Sequence, residues 1–197
     1  MAAAPGEAEV ADVVGQIDRA LAATGRVVEG ITAGQWTAPT PCAEWDVRTA
    51  LNHTVGGMRI FAAQLTGTEA GREHEDDWLG DDPRAGYATA AELDRAAWHR
   101  PGVLDTTVRI SLGVLPGPTA ALIHLTEVCV HGADLAVATG QRGVLDEELC
   151  GELLATMRAM PGFDAFRTPG MFGPEVPVPA GSPTHERLLG FLGRELR

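Results

Sequence analysis

PTAALIHLTEVCVHGADLAVATGQ, residues 118–141, concentrates potential metal ligands at helical spacing. His124, Glu127, His131 and Asp134 follow one another at i, i+3, i+7 and i+10. At about 100° per residue, their side chains fall within roughly 80° of one another around a helix and form one polar stripe. Ala121, Leu125, Val128 and Leu135 flank the stripe on one side, and Ile123, Val130 and Val137 on the other. A polar stripe walled by apolar residues faces the interior of a helical bundle. Isolated ionisable groups there would each lose several kcal/mol or more of hydration, about the cost of an unpaired buried charge. A bound cation relieves that cost. A single helical histidine is more often an ordinary core or surface residue, so the stripe alone leaves both readings open, and a further ligand elsewhere would tip the balance.

The remaining chain supplies the frame. It has 197 residues, suits one domain over 1–197, and with 45% hydrophobic residues is ample for a core. Fifteen Lys and Arg against 27 Asp and Glu give a net charge of −12, which argues against nucleic acid or an anionic membrane as partner. The start, MAAAPGEAEVADVV, lacks a basic n-region, and no stretch of 18 residues reads as uniformly apolar, so a soluble cytoplasmic protein is expected. Cys42, Cys129 and Cys150 lack paired spacing, and each is expected to be a small buried hydrophobe.

A first helix is expected over about Ala8–Ile31 and a second from the N-cap Asp46 to about Leu65, with Val47, Leu51, Met58, Phe61 and Leu65 forming its seam. His53 lies at the margin of that seam and is the natural further ligand beside the stripe; Gly56 and Gly57, one turn on, leave room for a partner helix or substrate. Trp36 and Trp45, in the loop before it, are expected to pack across helix ends. REHEDDWLGDD (72–82) reads as a solvated acidic connection whose His74 lacks a helical frame and is a weak metal candidate. Asp82-Pro83 signals a third helix to about His99, and alternation through Thr107–Ile110 a short hairpin in a long crossover. The stripe-bearing fourth helix ends at Gly140; a fifth runs over about Asp146–Met160, and 161–197 forms an irregular cover with a short helix from about Thr184 to Leu196. The expected fold is all-α, a four-helix bundle with extra C-terminal helices.

Three blocks, WTAPTPCAEWDVRTALNH, LTEVCVHGADLAVATGQ and FGPEVPVPAGSPTHERLLGFLGR, resemble the actinobacterial metal-binding family related to the N-terminal domain of mycothiol-dependent maleylpyruvate isomerase, in the DinB-like superfamily. The resemblance spans nearly the whole chain and is specific in those blocks. It implies a DinB-like four-helix bundle with one divalent metal on His53, Glu127 and His131, leaving His124 and Asp134 as supporting or pocket residues. The large C-terminal domain of the full-length isomerase has no counterpart here, which places isomerase activity itself in doubt.

Three protein ligands leave coordination positions open, as in catalytic zinc sites. The expected cofactors are therefore a divalent metal, zinc or nickel, and mycothiol. The expected partners are a small-molecule thiol and an electrophile, and the expected activity a thiol-dependent transferase or isomerase with Glu127 and His124 as catalytic residues. The alternative is a non-catalytic metal- or ligand-binding bundle, closed by a fourth protein ligand such as His124; metal-dependent hydrolysis is a lesser variant. Arg59, Arg109 and Arg142 are candidates for binding an anionic substrate. Either a monomer or a homodimer is compatible with the sequence.

Overall fold

The computed structural model describes residues 13–43, 45–110 and 113–196. Its helices are α1 (Val13–Gly30), α2 (Val47–Thr66), α3 (Pro83–Trp98), α4 (Gly117–Thr139), α5 (Glu147–Ala159) and α6 (Thr184–Phe191). Side chains the sequence marked as caps set several boundaries. Asp46 accepts the Thr49 N–H at 2.8 Å, and Asp82 accepts the N–H groups of Arg84 and Ala85 with Pro83 in the first turn of α3. Gly140, left-handed at φ 73°, closes α4. The part of the expected first helix before Val13 lies outside the described residues.

The first four helices close a ring in which α1 packs on α4, α4 on α2, α2 on α3 and α3 back on α1. This is the all-α four-helix bundle expected from the sequence. Its core is built from the apolar seams, with Ile17, Leu21, Leu51, Met58, Leu125 and Leu135 fully buried. On α4 close packing requires a glycine: a Cβ on Gly132 would come within 2.1 Å of the Thr24 hydroxyl on α1. By length and mean composition α4 could cross a membrane, but 78% of its apolar window is buried inside the bundle.

The crossover carries an antiparallel hairpin, β1 (Thr107–Ile110) and β2 (Gly113–Pro116), with Ile110 opposite Gly113. Helices α5 and α6 pack on each other outside the ring, and α6 also touches α4. Glu147, in the first turn of α5, accepts the N–H groups of Thr184 (2.6 Å) and His185 (3.2 Å) and so caps the start of α6 from another helix. That helix stops at Phe191 rather than near Leu196, because the chain turns at Gly193, which has φ 87° and lies against the Gly173 backbone.

Candidate metal centre

The polar stripe of α4 meets α2 at one level. There His53 Nε2 lies 3.0 Å from Glu127 Oε2, and His131 Nε2 lies 3.4 Å from the same oxygen. The three candidate donor atoms all lie within 4.8 Å of one another. Two donors held about 2.0–2.1 Å from one tetrahedral ion sit roughly 3.4 Å apart, so the arrangement fits a divalent ion. Two imidazoles and one carboxylate also form a donor set suited to zinc or nickel. His131 is 7% exposed, His53 29% and Glu127 38%, so access is through the His53–Glu127 side. That side opens into a cavity of about 1040 Å³ bordered by Cys42, Trp45, Gly57, Phe61 and Arg194.

Electrostatics favour the binding-ready forms of two of the three groups. Burial pushes the Glu127 carboxyl up, but hydrogen bonds from His131 and His53 outweigh it and hold the group well below the ordinary carboxylate value. Burial moves His53 the other way, below the usual imidazole value, against a smaller opposing effect of Glu127. His131 is the exception: burial lowers it, yet hydrogen bonds to Asp134 and Glu127 raise it to about 9. In the absence of an ion, His131 therefore carries the proton of the cluster at neutral pH.

Asp134, fully buried, takes the Nδ1–H of His131 on Oδ2 at 3.1 Å and fixes that ring from behind. Trp45 does not merely cross a helix end: its ring lies 4.6 Å from that of His53 and 5.4 Å from that of His131. His74 comes into the site without facing the donors, giving its Nε2–H to the His53 carbonyl at 3.0 Å with the two rings 4.3 Å apart. The space beside Gly56 is occupied by His74 and Trp78, so that glycine admits the 68–82 connection; Gly57 is the one that borders the cavity.

Comparison with known proteins places the chain in a family. The family model described as the mycothiol maleylpyruvate isomerase N-terminal domain matches residues 17–136. The chain belongs to that family. Two uncharacterized proteins of Mycobacterium tuberculosis, from strains CDC 1551 / Oshkosh and ATCC 25618 / H37Rv, are each 36% identical over 180 residues, covering 91% of this chain and 96% of theirs. Two crystal structures share the fold at 17% identity, covering 76% of this chain and 68% of the other. They are the mycothiol-dependent maleylpyruvate isomerase (TM-score 0.56) and its histidine-to-alanine point mutant (TM-score 0.58).

In this family member the stripe divides between two neighbours. His124 is not brought to the other three: its Nε2 lies 2.7 Å from Asp94 on α3, and its ring sits against Phe61 (4.6 Å) and Trp98 (5.5 Å). Asp94 was missed by sequence reading, although a carboxylate in the apolar Ala90, Ala97 and Trp98 face of a helix is the same kind of anomaly as the stripe itself. Arg59, Arg109 and Arg142 are not cavity-lining residues, and Arg142 pairs with Glu186 at 3.5 Å. Arg194 does line it, 8% exposed and 3.5 Å from Asp134 Oδ2. Cys129 and Cys150 are buried as expected, whereas Cys42 is only half-buried and borders the cavity, its thiol pushed up to about 11 by burial and the Asp134 charge.

Proposed function

We propose that this chain binds one divalent ion, zinc or nickel, through His53, Glu127 and His131, and acts in the cytoplasm as a transferase or isomerase joining a low-molecular-weight thiol to a small electrophile. The supporting observation is the meeting of two imidazoles and one carboxylate, from α2 and α4, at the wall of a cavity of about 1040 Å³. That volume is at the upper end of ordinary small-molecule sites, about 300–1,000 Å³, and suits two small reactants side by side. Mycothiol fits the family as the thiol.

A divalent ion in this position supplies Lewis acidity that makes a thiol acidic enough to lose its proton near neutral pH. The protein's own groups do the rest. Glu127 brings the one negative charge of the donor set, Asp134 holds His131 in a single ring orientation, and Trp45 forms the apolar wall beside both histidines. His124, engaged with Asp94, does not close the set, and this favours catalysis over a purely structural ion.

Elemental analysis of the wild type and of the His53→Ala and His131→Ala variants tests the ligand set: metal is expected to be stoichiometric in the wild type, reduced in His53→Ala and absent from His131→Ala, and full retention by both variants would remove the triad. Calorimetric titration of mycothiol into the metal-loaded protein, paired with turnover on a panel of electrophiles, tests the thiol. Saturable binding that requires metal is expected. A fully metallated protein that binds no thiol would leave the non-catalytic binding bundle as the better reading.

A further inference from the structure

Behind His131, on the side away from His53, a second set of donors converges. Cys42, His131 and Asp134 each offer one ligand atom, and these atoms all lie within 4.8 Å of one another. Donors held at about 2.3 Å (sulfur) and 2.0–2.1 Å (nitrogen, oxygen) from one ion sit roughly 3.5 Å apart, a distance that side-chain rotation reaches from here. The Cys42 backbone is pinned by its neighbours: its carbonyl accepts the Trp45 N–H and the Thr40 hydroxyl, both at 3.1 Å, and the loop is closed by a bridge between Pro39 and Asp46.

Asp134 provides the independent sign of a missing ligand. It is fully buried, and its Oδ2 is used by His131 and, at the limit of bonding distance, by Arg194. Its Oδ1 has no hydrogen-bond partner among the described residues. A buried carboxylate oxygen left empty costs about 1–3 kcal/mol or more, so such an atom calls for a partner, a water or an ion. The two nitrogens of His131 point to different company, Nε2 to Glu127 and Nδ1 to Asp134.

We propose that Cys42, His131 and Asp134 form a second cation position, selective for a thiophilic divalent ion, which shares His131 with the His53–Glu127–His131 position. A thiolate, an imidazole and a carboxylate neutralise a divalent charge, and the sulfur selects zinc or cobalt over magnesium or calcium. His53 plays no part in it, so it stands or falls apart from the proposed thiol chemistry. Loading it requires the Nδ1 proton and the thiol proton to leave while His131 keeps its Nε2 proton toward Glu127, so the ion sits in one position or the other, and Asp134 turns from hydrogen-bond acceptor to ligand.

Cobalt(II) titration of the metal-free protein reads this position directly, because a cobalt–thiolate bond gives an intense near-ultraviolet charge-transfer absorption that imidazole and carboxylate ligands do not. The absorption is expected in the wild type and in His53→Ala, and absent from Cys42→Ser and Cys42→Ala, with circular dichroism confirming that each metal-free variant is folded. Asp134→Asn should weaken cobalt binding there at least tenfold. No charge-transfer absorption in the wild type, or its survival in the Cys42 variants, overturns the proposal. Its loss in His53→Ala overturns it too, by making Cys42 a further ligand of the first position. The thiol reading is judged separately, by metal retention and mycothiol calorimetry.

Discussion

Seven residues apart on α4, two histidines meet carboxylates with opposite results. His124 and Asp94 are 1% and 0% exposed, joined by one bond of 2.7 Å and covered by the rings of Phe61 and Trp98. His131 touches two carboxylates, Glu127 in front and Asp134 behind, and the first of them opens into the cavity. The same residue types on the same face of the same helix thus make a closed pair at one level and an open cluster at the next. The difference comes from the neighbouring helix. At the level of His124, α3 presents one carboxylate within an aromatic shell. At the level of His131, α2 presents a second imidazole beside a void.

If the His124–Asp94 pair serves the fold and the lower cluster serves chemistry, breaking each should leave the other intact. The largest effect is expected from Asp94→Ala, which leaves His124 without its partner in a buried setting; loss of one member of such a pair costs about 3–5 kcal/mol. Urea unfolding should show that loss while metal stoichiometry stays unchanged. Loss of metal together with stability would mean that the two levels are one unit. His53→Ala should do the reverse. Wild-type stability should fall on chelation by about 2.7 kcal/mol when metal had been a hundredfold above its dissociation constant, and the chelator should not unfold the bundle. With Cys42→Ala added to remove the second position, the His53→Ala protein should show the same melting temperature with and without chelator. A chelator-sensitive double variant would place the ion elsewhere.

Much of this division could be read from the sequence, but not all of it. The stripe of α4, the caps Asp46 and Asp82, the stop at Gly140 and the short hairpin follow from local periodicity and turn chemistry, which a single chain displays. Helical spacing gives direction around the helix and not the identity of the neighbour at each height, so His124 and His131 looked alike. Their partners, Asp94 and His53, sit on different helices. Cys42 and Arg194 were harder still, because each lies outside a helix, where no period places a side chain. Gly56 misled for a related reason: missing bulk on α2 makes room, but nothing local says that His74 and Trp78 fill it.

A finer test sharpens the contrast within the lower cluster, between the groups that touch the cavity and the one that holds His131 from behind. Asp134→Asn keeps the shape of the side chain and removes its charge. Loss of an orienting carboxylate of this kind typically weakens metal affinity about 10–100-fold. Competition with a chromophoric chelator should show that drop with stoichiometry near that of the wild type at saturating metal. Unchanged affinity would make Asp134 a packing residue like Asp94.

A further effect concerns the proton on His131. Its value in the metal-free protein is raised to about 9, above the roughly 6.5 of an unfolded chain. Such a group contributes stability that is complete below the unfolded value and is lost as pH rises through the folded one. The metal-free protein should therefore lose melting temperature between about pH 6.5 and 9, and His131→Asn should lose less of it. Metal binding has the opposite dependence. Glu127 is held ionised and His53 is pushed toward its neutral form, so His131 is the member of the triad that must give up a proton. Affinity should rise about tenfold per pH unit, roughly 1.4 kcal/mol, until it flattens near pH 9. Calorimetry in buffers of different ionisation enthalpy counts the protons released. One proton sustains the assignment to His131; none means that the ring is neutral before the ion arrives, and two at neutral pH means that a second group, with the Cys42 thiol the nearest, is being deprotonated as well.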